Sequence, residues 1–287
     1  MEREIRPRRS VLYVPGGNPR ALDKGRTLPV DGLIMDLEDS VSPDAKSTAR
    51  QGVVDALAQG GFGRRELAVR INGLDTPWGS DDIASVARAG MDAVVIPKVE
   101  SAAAVNAVID ALAQAGAPPD MSLWIMAETP RGVMDIDRIC AAHPAVAVVV
   151  MGTSDLAKVL RLPHPPASAG LAAALGHCLL GARAHGLDIL DGVFLDLQDE
   201  TGFRDACQQG RSMGFDGKTL IHPNQIETAN DCFGVSSRAI ERAQKIIAAW
   251  RQAQQEGRGV TVVDGRLVER LHVDEAERVL ALAGAIG

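Results

Sequence analysis

Residues 33–41 read LIMDLEDSV. An apolar run without polar alternation is the pattern of a strand buried on both faces, as in a parallel sheet covered by helices. This one runs straight into Asp36, Glu38 and Asp39, three carboxylates within four residues. Carboxylates at the edge of a core are costly unless something compensates or uses them. Runs of the same kind recur: VLYV (11–14), GLIMDL (32–37), LAVRI (67–71), AVVIP (93–97), LWIMA (123–127), VAVVVM (146–151), DILDGVFLD (188–196) and KTLI (218–221). Helix-like segments separate them at 18–28, 44–59, 79–90, 101–115, 131–142, 154–161, 168–186 and 201–213. Helix starts are marked by Ser101, by Thr201 and by Asp44 beyond Pro43. Eight strand–helix alternations and a further helix at 235–256 predict an α/β fold, a (β/α)8 TIM barrel over residues 1–256. A doubly wound open sheet is the alternative, but PGGNPR (15–20) lacks the G-x-G-x-x-G spacing of a dinucleotide site.

The tail reads differently. VTVV-DG-RLVE predicts a hairpin closed by Asp264–Gly265, a favoured two-residue turn, and Val273–Ala283 a short amphipathic helix. The expected division is a catalytic barrel at 1–256 and a C-terminal lid or oligomerisation segment at 257–287. Val260, Val262, Leu267, Val268, Val273 and Leu280 exceed what a closed barrel needs, and are expected to pack on a neighbouring chain.

Composition narrows the function classes. Of 287 residues, 46% are apolar and 23% charged, enough for a sizeable core, and only 3% are aromatic, too few for a nucleic-acid stacking platform. A net charge of −7 argues against nucleic acid or an anionic membrane as the main partner. Cys140, Cys178, Cys207 and Cys232 show no C-x-x-C spacing and read as buried thiols in a reducing compartment. No apolar run approaches the roughly 18 residues of a membrane span. The charged start MEREIRPRRS is not followed by a signal-peptide core, so a cytoplasmic location is expected.

In such a barrel the residues just after each strand form one face, where catalysis sits. Here those positions carry Pro15–Gly16–Gly17, Asp36/Glu38/Asp39, Arg70/Asn72, Pro97–Lys98, Glu128, Gly152–Asp155, Asp196 and His222. Glu128 in IMAETPRG and Asp155 in MGTSDLAK end the fifth and sixth strands. Two carboxylates on adjacent strand ends can hold Mg²⁺, with water and substrate oxygens completing the octahedron; an ordinary hydrogen-bonded pair is the alternative. Arg70 in VRING can clamp an anionic substrate or stabilise an enolate oxygen. Gly152–Thr153–Ser154 opens a helix and offers a cradle for a substrate carboxylate. Arg20, Lys24 and Lys98 are basic groups that either meet phosphates or are simply solvated. His177 and His185 read as surface or satisfied histidines, and His164 in LPHPPAS as a loop residue. No G-x-S-x-G occurs, and a nucleophilic triad is not expected.

These motifs resemble the citrate lyase β-subunit-like acyl-CoA lyases of the HpcH/HpaI aldolase superfamily. The matching segments are RSVLYVPGGNPRALDK, LIMDLEDSVSPDAK, VRINGLDTPWG, VVIPKVES, AETPRG, MGTSDL, GFDGKTLIHPNQI and DGRLVE, in order along nearly the whole chain. Malyl-CoA and citramalyl-CoA lyases look nearer than the β subunit of the citrate lyase complex. The resemblance implies a Mg²⁺-dependent barrel enzyme (Mn²⁺ serving as a substitute) that makes or breaks a C–C bond between an acyl-CoA enolate and a 2-oxo acid. It implies Glu128 and Asp155 as metal ligands and Arg70 on the oxo acid and enolate oxygen. Gly152 and Thr153 join these at the substrate, with Asp39 among the candidates for orienting water or Arg70. Tyr13, Arg20, Lys24, Lys98, Ile221 and His222 are implied to line the CoA channel. A homotrimer or dimer of trimers is implied, with the tail covering a neighbouring subunit's site.

One departure matters. Where the lyases carry Asp in a GRLVD-like motif as the acid/base for the acetyl methyl group, this chain has Glu269. The extra methylene moves the carboxylate, and a misplacement of about 1 Å can cost on the order of 100-fold. The expected activity is a lyase cleaving malyl-CoA, β-methylmalyl-CoA or citramalyl-CoA to acetyl-CoA or propionyl-CoA plus glyoxylate or pyruvate. The alternatives are a malyl-CoA thioesterase or malate synthase-like hydrolase on the same scaffold, which Glu269 favours, and a citrate lyase β subunit acting in a complex.

Overall fold

The computed structural model describes residues 5–163 and 168–286; His164 lies outside them. The chain forms the expected barrel. Its strands are β1 (Ser10–Pro15), β2 (Gly32–Asp36), β3 (Glu66–Arg70), β4 (Ala93–Ile96), β5 (Ser122–Ala127), β6 (Val146–Met151), β7 (Asp188–Asp191) and β8 (Gly217–Leu220). Each pairs in parallel with the next, and β8 pairs with β1 to close the ring.

The side-chain period of two divides every strand between two cores. Outward residues such as Leu12, Leu33, Val69, Val94, Ile125, Val149 and Ile189 pack under the helices. Inward residues fill the barrel: Val11, Ile34, Ala68, Ala93, Val95, Trp124, Met126, Val148, Val150 and Leu190, with Tyr13 packed on them. The same parity, continued toward the strand ends, turns Asp36, Arg70, Glu128 and Gly152 inward as well, two positions beyond Ile34, Ala68, Met126 and Val150. The polar layer is therefore the uppermost layer of the barrel interior.

The opposite end is closed. Arg8 bonds both carboxylate oxygens of Glu66, at 2.6 and 2.8 Å, and also Asp188, while its guanidinium lies 5.5 Å from the centre of the Trp124 ring. Glu66 and Asp188 begin β3 and β7, so the pair-bridging arginine plugs the barrel floor.

The helices follow local signals. Asn18, Ser101, Thr129 and Asp199 each accept a bond from a backbone N–H in the first turn of the helix that follows. Asp199, not Thr201, caps Glu200–Met213. The helix expected at 131–142 is two short ones, Pro130–Met134 and Ile136–Cys140, interrupted at Asp135. The seventh strand stops at Asp191 rather than running to residue 196. Asp191 faces outward and is engaged by Lys218 Nζ at 2.5 Å, and the next residue, Gly192, has no room for a Cβ, which would stand 2.2 Å from Thr153 Oγ1.

The chain divides into two compact units, Arg8–Phe233 and Gly234–Gly287 with the residues before Arg8. In the second, the helix Ser237–Gln255 groups with the tail rather than with the barrel. β9 (Thr261–Val263) and β10 (Arg266–Val268) form the expected hairpin, and a helix covers Arg270–Ile286. Asp264 and Gly265 both have positive φ, 49° and 73°, as a type I′ turn requires. Ala243, Ile246 and Trp250 pack with Val268, Val273 and Ala276 in a core of their own. Val268, Val273 and Leu280 are thus used within the unit, whereas Val260, Val262 and Leu267 stay exposed. All four cysteines are free thiols, three of them buried. Among the described residues no helix is long and apolar enough to cross a membrane.

Candidate active site

The mouth of the barrel holds a cavity of about 380 Å³. Tyr13, Asp36, Arg70 and Met126 reach it from the strands; Glu128, just after β5, and Asp39, Gly152, Thr153, Ser154, Asp155 and Ile221 reach it from the loops and helix starts beyond.

Its organising contact is between β2 and β3. Register places the Cα of Asp36 opposite that of Arg70. Their side chains meet fork to fork, Nε on Oδ1 and Nη2 on Oδ2, each at 2.7 Å. Asp36 also accepts the backbone N–H groups of Glu38 (2.9 Å) and Ser40 (3.0 Å), which folds the chain after β2 into a tight turn. Burial alone would raise the Asp36 carboxyl, but the bonds and charge of Arg70 outweigh it and hold the carboxyl below its ordinary value. Arg70 in turn is held fully protonated. Its remaining terminal nitrogen stands 3.1 Å from Glu38 and 3.8 Å from Asp39, and its guanidinium lies over the Tyr13 ring at 5.0 Å.

A second buried network fixes the turn from below. Lys46 Nζ donates to the carbonyls of Leu37 (2.8 Å) and Glu38 (2.7 Å) and to Asn72 Oδ1 (2.7 Å), which uses all three of its protons. Asn72 donates to Leu37 O and to Asp82, and Asp82 is held by Arg50 at 2.7 Å. Desolvation lowers the Lys46 amine, yet it faces Asp36, Glu38 and Asp82 and remains a cation.

Glu128 is the opposite case. It is 2% exposed, and among the described residues no cation lies within ion-pair distance; its one bond is from the backbone N–H of Lys98 to Oε1, at 2.7 Å. Burial pushes its carboxyl up to about 7, the Lys98 amide and Arg70 offsetting only part of the cost. Gly152 makes room for it: a Cβ there would stand 2.3 Å from Glu128 Cβ and 2.5 Å from Oε2. Asp155, in the first turn of the helix Thr153–Val159, is half-buried on the same cavity, and no side chain among the described residues pairs with it.

The other expected residues are placed less centrally. Lys98 sits at φ 48°, its ammonium on Glu38 and 3.6 Å from Asp39. Arg20 and Lys24 are exposed on the short helix Pro19–Gly25 and do not line the cavity. His222 caps the turn at Pro223–Gln225 and bonds Asn224, outside the cavity, while its neighbour Ile221 lines the rim. Glu269 is exposed at the end of the hairpin in the C-terminal unit. Asp196, expected at a strand end, lies on the loop after β7. The sequence singled out Asp36 only as one of three interchangeable carboxylates; its role as the partner of Arg70 needs the β2–β3 register, which no single segment carries. Lys46 and Asp82 carried no signal at all.

A parallel barrel whose mouth combines an arginine clamped by a carboxylate with two uncompensated carboxylates is an enzyme scaffold for small anionic substrates. The chain belongs to the HpcH/HpaI aldolase/citrate lyase family, whose profile it matches over residues 9–223. It is 49% identical over 286 residues to a (3S)-malyl-CoA thioesterase of Cereibacter sphaeroides, covering 100% of this chain and 98% of that one. An L-malyl-CoA/β-methylmalyl-CoA lyase of the same organism is 33% identical, covering 98% and 96%. Among solved structures, protein CitE of Mycobacterium tuberculosis in complex with magnesium, acetoacetate and coenzyme A is 27% identical with a TM-score of 0.75, covering 96% of this chain and 97% of that one.

These relationships correct the expected lyase activity. Within one organism the thioesterase is the nearer relative by 49% to 33%. The chain aligns with both over nearly its whole length, so the fold alone does not separate the two activities.

Proposed function

We propose that this protein is a (3S)-malyl-CoA thioesterase, hydrolysing its substrate to malate and free CoA. The full-length 49% identity to thioesterases carries the reading. In hydrolysis a water oxygen bonds to the thioester carbonyl carbon and the carbonyl π pair moves onto oxygen. Collapse of that intermediate breaks the C–S bond, and the departing thiolate takes up the proton the water gave up. The developing oxyanion needs a fixed positive donor in a water-poor site. Arg70 supplies one: Asp36 immobilises Nε and Nη2, and Nη1, which borders the cavity 3.1 Å from Glu38, would turn one of its two protons to the oxyanion.

Glu128 and Asp155 fit a divalent cation such as Mg²⁺. One is buried without a counter-cation and the other is unpaired on the same cavity. No cluster of three His, Cys, Asp or Glu side chains suited to a metal occurs among the described residues, so substrate and water oxygens would complete the coordination. Such an ion would supply positive charge for the carboxylate and hydroxyl of the malyl group. Gly152 and Thr153 border that position, and Asp39 stands at the rim with Lys98. Arg20, Lys24 and His222 are assigned to the CoA moiety outside the cavity. Glu269 is assigned the acid/base role from the tail of a neighbouring subunit, in a trimer or dimer of trimers.

The test is product analysis. Purified protein with (3S)-malyl-CoA and Mg²⁺ should release malate and CoA in equal amounts, with no glyoxylate. Stoichiometric glyoxylate and acetyl-CoA would refute the thioesterase reading.

A further inference from the structure

Two hydrogen-bond donors at the cavity floor converge on a single poor acceptor. Tyr13 Oη–H points to Met126 Sδ at 3.9 Å, and Arg70 Nη1 points to the same sulfur at 3.7 Å. A thioether is a weak acceptor, and a hydroxyl in the interior ordinarily finds a better one. Tyr13 has no other protein partner among the described residues. It is the only tyrosine in the chain, and it stands where a phenylalanine would pack equally well.

The position of the ring decides what the hydroxyl meets. Tyr13 faces inward on β1, two residues beyond Val11, against the face of the Arg70 guanidinium. Met126 lies one inward position below Glu128 on β5. The hydroxyl thus sits deep, beside the clamped arginine, and not among the rim positions Pro15, Ser154 and Ile221. A cavity of this size admits the small acyl end of a thioester at its floor and leaves the bulky CoA moiety at the mouth.

We propose that the Tyr13 hydroxyl, together with Arg70 Nη1, binds an oxygen of the substrate's acyl group, and that Tyr13 is therefore an acyl-site residue and not part of the CoA channel. This rests on the thioesterase reading for the identity of the acyl group, but not for the existence of the two-donor site. Burial holds the phenol above its ordinary titration range, so it remains a donor at every working pH. The thioether holds the Tyr13 hydroxyl and one side of Arg70 Nη1 only weakly in the free protein, so an incoming oxygen replaces it at little cost while Nη1 keeps its ion pair with Glu38 at 3.1 Å.

Because the chain has one tyrosine, growth on 3-fluorotyrosine labels this position alone. The ¹⁹F resonance of the full-length protein should move on titration with L-malate and Mg²⁺, and stay in place with CoA alone. In parallel, Tyr13→Phe, which keeps the ring against Arg70, should consume (3S)-malyl-CoA with kcat/KM lowered about tenfold or more. A resonance that moves with CoA and not with malate overturns the proposal, as does a Phe variant within twofold of the wild type. Neither readout depends on which products form, so failure of the thioesterase reading is seen separately in the product analysis.

Discussion

Asp36 and Arg70 are bonded through both ends of both groups, at 2.7 Å each, while 2% and 7% exposed. Breaking such a pair from one side leaves a buried charge without compensation. Asp36→Ala should therefore lower unfolding free energy by about 3–5 kcal/mol in urea denaturation. The turn at Glu38–Ser40 also loses its two bonds to the carboxylate, so activity should fall further than stability explains at temperatures where the variant is folded. Unchanged stability would mean that Asp36 does not hold Arg70.

Glu128 imposes a pH dependence of unusual sign. Its carboxyl is raised to about 7 by burial, so between the ordinary carboxylate range and pH 7 the folded protein keeps a proton that the unfolded chain has released. Stability of the metal-free protein should fall as pH rises through that window, by on the order of 3 kcal/mol for this group. Below the window both states are protonated, so stability is highest and no longer changes with pH through this group. Glu128→Gln should flatten this part of the profile, keep the fold by circular dichroism, and abolish Mg²⁺ binding by calorimetry.

Gly152 is required for space and not for backbone freedom, since its φ of −89° is open to any residue. Gly152→Ala should lose about 1–3 kcal/mol of stability, because its Cβ would overlap the Cβ of the buried Glu128 at 2.3 Å, and should displace the Glu128 carboxylate as well. Mg²⁺ affinity should drop at least about tenfold. Wild-type affinity in this variant would show that Glu128 does not hold the ion.

The hairpin leaves Val262 63% and Leu267 55% exposed, although Val268 beside them is buried in its own unit. Leu267→Glu should shift a trimeric or hexameric protein toward the monomer by light scattering. Glu269→Gln should lower the hydrolysis rate at least about tenfold with little change in substrate binding. A monomeric wild type would remove the reason to place Glu269 at a neighbour's site.

Barrel strands were legible because burial on both faces leaves an uninterrupted apolar run; VAVVVM can hardly be anything else. DILDGVFLD misled for the same reason. Its Val193 and Leu195 look like strand, but the strand ends at Asp191 and Leu195 is 51% exposed. At the site, Arg70, Glu128 and Asp155 were visible as strand-end polar residues. The bonds from Arg70 to Asp36 and the three-way grip of Lys46 were not: the first depends on the register of two strands and spans 34 positions, and the second joins carbonyls 8 and 9 positions away to Asn72, 26 positions away.

Arg8 gives the barrel one door. With Glu66 and Asp188 gripping it under Trp124, nothing passes through the floor, and every molecule that enters must back out along its own path. If the proposed hydrolysis holds and the acyl group enters first, unloading would follow the reverse order of depth. The thiol half, nearest the opening, would depart before the acid it has uncovered, and the acid at the floor would be the last occupant to leave before the next turnover.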